Sequence, residues 1–153
     1  MKGLREPMNR VNINAEEVPL PSWKERAKVY ILKILSYLEK DSWDLSVLFC
    51  NNAYIRSLNV RYRGRDEATD VLSFSLGETV RGRFIPGDIV ISLETLEENA
   101  RFFKVEPDEE LRRLLIHGIL HLDGMDHRTN KAEEPMLQLQ EKILAVLAGE
   151  HIV

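Results

Sequence analysis

Three of the four histidines in this chain fall in one short run, His117-Gly-Ile-Leu-His121-Leu-Asp-Gly-Met-Asp-His127. The spacing is H-x3-H-x5-H, and it restricts the fold more than any other feature. On a helix, residues four apart project from one face about a turn apart, so His117 and His121 can reach one metal ion. Gly124 lets the chain leave the helix and swing back, and His127 then approaches as a third ligand. Three protein nitrogens plus an open position make a catalytic zinc site rather than a closed structural one. Zinc (Zn2+) is the expected ion because neutral imidazole suits it, although nickel, copper and iron(II) also accept imidazole. Asp123 and Asp126 lie within the run, and either can orient a histidine by accepting from its second ring nitrogen.

A helix of this kind needs a body to pack against. The 153 residues predict a single domain over 1–153. Apolar residues make up 44% and charged residues 30%, a globular composition. No stretch reaches the apolar length of a membrane span, and the first residues lack the apolar core of a secretory signal. The lone cysteine, Cys50, excludes an internal disulfide and suits a reducing compartment. A cytoplasmic protein with no membrane partner is expected.

Patterning gives the element order. Met8 to Ile13 reads as a strand. Ser22 is placed to cap a helix from Trp23 to Glu39, with Ala27, Ile31, Ile34, Leu35 and Leu38 at helical spacing. Asp44 to Cys50 is rich in strand formers. Asn51 caps a helix to Tyr62, and Arg63 to Thr69 reads as a loop. Asp70 to Leu76 is a strand, with Gly82 in the turn that follows. Pro86-Gly87 then precedes a strand from Asp88 to Leu93, which makes Asp88 a turn residue. Leu93 to Phe103 is a helix. Pro107 opens the helix that carries His117 and His121, and three acidic residues suit its positive end. On that helix Leu111, Leu114, Leu115, Ile119 and Leu122 form the apolar face, with the histidines at its edge. Pro135 opens a last helix to Leu147, with Met136, Leu139, Ile143, Leu144 and Leu147 inward. The order β-α-β-α-β-β-α-α-α indicates an α+β or mixed class.

The frame H-x3-H-x2-G-x2-H is shared with metzincin proteases, which carry a general-base glutamate after the first histidine. Gly118 stands there instead, so peptide hydrolysis loses its proton acceptor. A phosphodiester needs cations to stabilise developing charge. Net charge is −4, which argues against non-specific nucleic-acid binding. The distribution is uneven, however, because Arg56, Arg61, Arg63, Arg65, Arg81 and Arg83 cluster in the middle of the chain. Guanidinium groups match phosphate oxygens in a bidentate way, so this segment is a candidate substrate track.

The histidine run closely resembles the H-G-x-L-H-L-x-G-Y-D-H signature of the YbeY family of bacterial proteins. Leu58-Asn-Val-Arg-Tyr-Arg-Gly-Arg-Asp-Glu-Ala-Thr-Asp-Val-Leu-Ser-Phe resembles that family's block L-N-x-x-Y-R-x5-T-D-V-L-S-F, and Gly87-Asp-Ile-Val-Ile-Ser resembles its G-D-I-x-I-S. The likeness runs from about Asp41 to Leu147. Met125 replaces the signature tyrosine, and Ser75 replaces a proline often found after the L-S-F run. The resemblance implies an α+β fold with a small mixed sheet packed against several helices and a zincin-like metal helix lining a cleft. It implies a zinc-dependent endoribonuclease acting on single-stranded RNA. Its partners would be ribosomal RNA and the ribosome or its small subunit, in 3′-end maturation and ribosome quality control. It implies zinc held by His117, His121 and His127, and a role in activity for Arg63. Two alternatives stand beside it. One is a metal-dependent hydrolase of peptides or small substrates, and the other is a ribosome-associated binding protein with a structural metal. The general base stays open between a second water and a substrate oxygen, and the nucleophile between water and the RNA 2′-hydroxyl.

Overall fold

Strand residues of this chain bury on alternate sides. Leu45, Val47 and Phe49 turn one way, and Ile89 and Ile91 join them. Leu72, Val90 and Cys50 turn the other way. This period of two makes a sheet with helices on both faces. A computed structural model describes residues 8–126, 131 and 134–153. The elements run β1 (Arg10–Ala15), α1 (Lys24–Tyr37), β2 (Asp44–Cys50), α2 (Asn52–Arg63), β3 (Val71–Val80), β4 (Arg83–Ser92), α3 (Leu93–Phe103), α4 (Pro107–Leu122) and α5 (Pro135–Val146). The class is α+β, as the patterning indicated. The strands lie in the order β1-β2-β4-β3, with β1, β2 and β4 parallel and β3 antiparallel at one edge.

The main core lies between one sheet face and helices α1, α4 and α5. A smaller cluster of Cys50, Ile55, Leu72 and Val90 sits under α2 on the other face. Burial pushes the Cys50 thiol up to about 12, so it packs as an apolar side chain. Helix α4 is central. Residues round nearly its whole circumference are buried, including Glu110 and Arg112, because it touches α1, α3, α5 and the sheet. The single apolar face expected for it is therefore too narrow.

Three local expectations give way to packing. Ser22 does not cap α1. Trp23 holds the cap position without a side-chain bond, and its ring stands edge-on to Phe49 at 5.2 Å. Pro86 and Gly87 lie inside β4, not before it. The β3/β4 register shifts between Ser75 and Glu78, and a bulge of this kind tolerates the amide that proline lacks. Asp88 is thus a strand residue, paired with Ser46 and Phe74. The hairpin turns at Arg81 and Gly82, both at positive φ, the left-handed pair that matches strand twist.

Candidate metal centre and cleft

Helix α4 brings His117 and His121 together as their spacing requires. The rings meet edge to face with centroids 4.6 Å apart, and the two Nε2 atoms are 3.1 Å apart. Two nitrogens bound tetrahedrally to zinc stand about 3.3 Å apart at ordinary bond lengths. The pair therefore fits a shared ion with little adjustment. His127, the third ligand expected, lies outside the described residues. Among the described residues no group of three His, Cys, Asp or Glu side chains converges to hold a metal.

A hydrogen-bonded chain sets the orientation of His117. Its Nδ1 lies 2.7 Å from Gln140 Oε1 on α5. Gln140 Nε2 donates to Glu141 Oε2 at 3.1 Å, which fixes the amide with its oxygen toward the imidazole. Glu141 in turn accepts from Arg113 Nε at 2.9 Å and Nη2 at 3.1 Å. Burial pushes the Glu141 carboxyl up, but the bonds from Arg113 and Gln140 outweigh it and hold it below its ordinary value. An acceptor at Nδ1 puts the proton there and leaves the lone pair on Nε2, facing His121.

Gln140 was not singled out from the sequence. It is a glutamine among the buried positions Met136, Ile143 and Leu144 of α5, and a buried amide on an apolar face needs a partner. That was the available signal. The two aspartates named as orienting residues behave differently from each other. Asp126 Oδ1 stands 4.0 Å from His121 Nδ1, beyond hydrogen-bond length. Asp123 turns away from both described histidines, and its carboxylate pairs with Lys40 Nζ at 2.7 Å. Asp123 holds the C-cap of α4, where it turns toward the residues after α1.

Arg63 reaches the same place from the other side of the sheet. It ends α2, and Gly64 follows at φ 67° to stop the helix. Its Nη2 crosses the edge strand and donates to Ser73 O at 3.0 Å. Arg63, Ser73, Met125 and Asp126 line a cleft of about 400 Å³ together with His117 and His121. The structure thus unites the arginine with the two described histidines. Met125, the substitute for the signature tyrosine, packs against the core and lends the cleft an apolar wall.

The other central arginines are largely committed elsewhere. Arg83 pairs with Asp44 at 2.7 Å and Arg56 with Asp66 at 2.7 Å, while Arg65 lies 4.0 Å from Glu67. Arg81 has no ion pair among the described residues but stands in the β3/β4 turn, so beside the cleft the expected track narrows to Arg63 and its neighbour Arg61. Gly118 has a steric role. A Cβ there would stand 3.0 Å from two carbons of the Ile89 side chain, so any larger residue beside His117 needs the Ile89 side chain to shift by a few tenths of an ångström.

Comparison with known proteins matches this architecture. The sequence model of the family described as Endoribonuclease YbeY matches residues 10–148. The chain is 49% identical over 124 residues to an endoribonuclease YbeY of Treponema denticola, covering 78% of this chain and 80% of the relative. It is 43% identical over 143 residues to that of Treponema pallidum subsp. pallidum, covering 90% and 89%. Against that of Borrelia hermsii it is 45% identical over 138 residues, covering 88% and 92%. The solution structure of TM1509 from Thermotoga maritima superposes with a TM-score of 0.59 at 31% identity, covering 91% of this chain and 90% of that one. Among the described residues, no helix is long and apolar enough to cross a membrane.

Proposed function

The chain belongs to the YbeY endoribonuclease family, and on that premise we propose that it is a zinc-dependent endoribonuclease that cuts single-stranded RNA. The proposed substrate is ribosomal RNA at the 3′ end of the small-subunit precursor, met on the ribosome or small subunit in the cytoplasm, with a part in ribosome quality control. The observation that carries the reading is the meeting of His117 Nε2, His121 Nε2 and the Arg63 guanidinium in one cleft.

His117, His121 and His127 would hold the ion. Bound there, a divalent ion polarises a phosphoryl oxygen and lowers the pKa of water. The remaining work falls to the protein. Gln140 keeps the His117 lone pair on Nε2. Ser73 O engages one Arg63 N–H, and the remaining donors of the planar fork can take a phosphate in a bidentate grip. Val71, Leu72 and Met125 add apolar wall to the cleft beside its polar groups. Gly118 stands where a metzincin protease carries its general-base glutamate, which speaks against peptide hydrolysis.

The test uses the purified protein and a small-subunit RNA fragment that carries both duplex and single-stranded stretches around the mature 3′ end. Cuts confined to the single-stranded stretches, lost with chelator and restored by zinc, are expected. Product ends then identify the nucleophile, since a cyclic phosphate means attack by the 2′-hydroxyl and a 5′-phosphate means attack by water. Cleavage that ignores chelator, or that is equal in duplex, would overturn the reading.

A further inference from the structure

On the far side of the β3 edge from the histidines, the end of α2 carries a layered patch of arginine and aromatic side chains. The Tyr62 ring is 60% exposed and meets Phe74 edge to face at 5.4 Å. The Arg61 guanidinium lies 5.5 Å from the centre of Tyr62, and that of Arg63 lies 5.8 Å from the centre of Phe74. Among the described residues, neither Arg61 nor Arg63 has a carboxylate within ion-pair distance, whereas Arg56, Arg65 and Arg83 each do. A cation that rests on a ring keeps its full charge for a phosphate, while one paired with a carboxylate has that charge partly offset. Tyr62 and Phe74 also line a groove of about 470 Å³ on this sheet face, and Asp88 lines it too. A carboxylate there turns away a phosphate and accepts a hydrogen bond from the amino group of a base.

We propose that Tyr62, backed by Phe74 and flanked by Arg61 and Arg63, is a stacking platform for a nucleobase of the single-stranded RNA as it leaves the cleft over the β3 edge. The proposal rests on the endoribonuclease reading and deepens it. Arg63 holds the phosphate at the cleft, Tyr62 stacks the next accessible base, and Arg61 meets a phosphate beyond it. Exposed aromatics interleaved with arginines suit single strands because every base has a face to stack, whereas paired bases are not available. The platform thus accounts for a preference for unpaired RNA that the two described histidines alone do not explain.

The test compares wild-type protein with Tyr62→Ala, Tyr62→Phe and Arg61→Gln. Binding to a fluorescent single-stranded RNA is read by anisotropy in chelator, and zinc-supported cleavage is read in parallel. A second oligonucleotide of equal length has abasic sites throughout. The expected result is about tenfold weaker binding of the base-bearing RNA by Tyr62→Ala, with no change on the abasic strand and near-normal binding by Tyr62→Phe. Arg61→Gln is expected to flatten the salt dependence by about one phosphate contact. It carries the test alone if Tyr62→Ala does not fold. Equal loss on both oligonucleotides, or unchanged binding and an unchanged salt slope, would overturn the platform. If cleavage persists in that case, the patch seats something other than RNA and the endoribonuclease reading survives. If wild-type protein neither binds nor cuts RNA, both fall together.

Discussion

The residue with the most leverage on the proposed metal centre is Gln140, which touches no substrate. Its carbonyl holds the His117 Nδ1 proton, and Glu141 and Arg113 hold the amide in turn. Gln140→Leu keeps the volume and removes the acceptor. It is expected to weaken zinc binding about 10- to 100-fold, the usual cost of losing such a partner. Competition with a coloured chelator measures this without any RNA. Gln140→Glu keeps an acceptor and should keep most of the affinity; equal losses in both variants would mean that Gln140 merely packs. At this scale the sequence made the histidine pair legible, because four-residue spacing on a helix fixes a shared face. It did not reveal Gln140, since contact across 23 positions depends on how α5 lies on α4. Asp123 shows the converse. It is close in sequence to both histidines, yet it turns at the helix end toward Lys40.

Among the elements, Gly118 sets how closely α4 lies on β4, and Gly87 sets how closely β3 lies on β4. Gly87 has φ 140°, and a Cβ there would come within 2.0 Å of Phe74 O. The clash is with backbone, which cannot swing aside as a side chain can. Gly87→Ala is expected to cost about 3 kcal/mol of stability, a large value for one methyl group. Urea unfolding of the variant checks this, and a change below about 0.5 kcal/mol, the level of an ordinary surface substitution, would contradict it. The element order was legible because apolar residues alternate in strands and recur at helical spacing in α1, α4 and α5. The extent of β3 and β4 was not. Pro86-Gly87 is a turn signal locally, but a bulge in the partner strand lets the sheet run through it.

At the scale of the whole molecule, the C-terminal residues close the fold. Ile152 is fully buried, and Asp108 Oδ1 accepts from the backbone N–H of Ile152 at 2.7 Å and of Val153 at 2.8 Å. Arg26 donates to Ile152 O, and Arg112 donates to the second Asp108 oxygen at 2.8 Å. No sequence pattern marked this tail, because only the tertiary path brings it to the first turn of α4. Burial alone would raise the Asp108 pKa, but the bonds from Val153, Ile152 and Arg112 outweigh it and hold the group below its ordinary 3.8. A depressed folded pKa means that the stabilisation is complete above 3.8 and is lost as pH falls through the lower folded value. Asp108→Ala should lose about 3 kcal/mol at neutral pH, because it orphans two backbone N–H groups and Arg112, and the gap to wild type should narrow in acid as the carboxylate is protonated. Thermal melts across pH measure it, and a gap that does not narrow toward the acid end would contradict the linkage. The central claim is that these elements converge to build a metal-dependent RNA-cutting site. The most direct measurement is cleavage of single-stranded ribosomal RNA by wild-type protein beside His121→Ala prepared identically, each with chelator and with zinc restored. Cutting is expected from wild type alone, abolished by chelator and recovered with zinc. Equal cutting by both preparations, or cutting by neither, would contradict the claim.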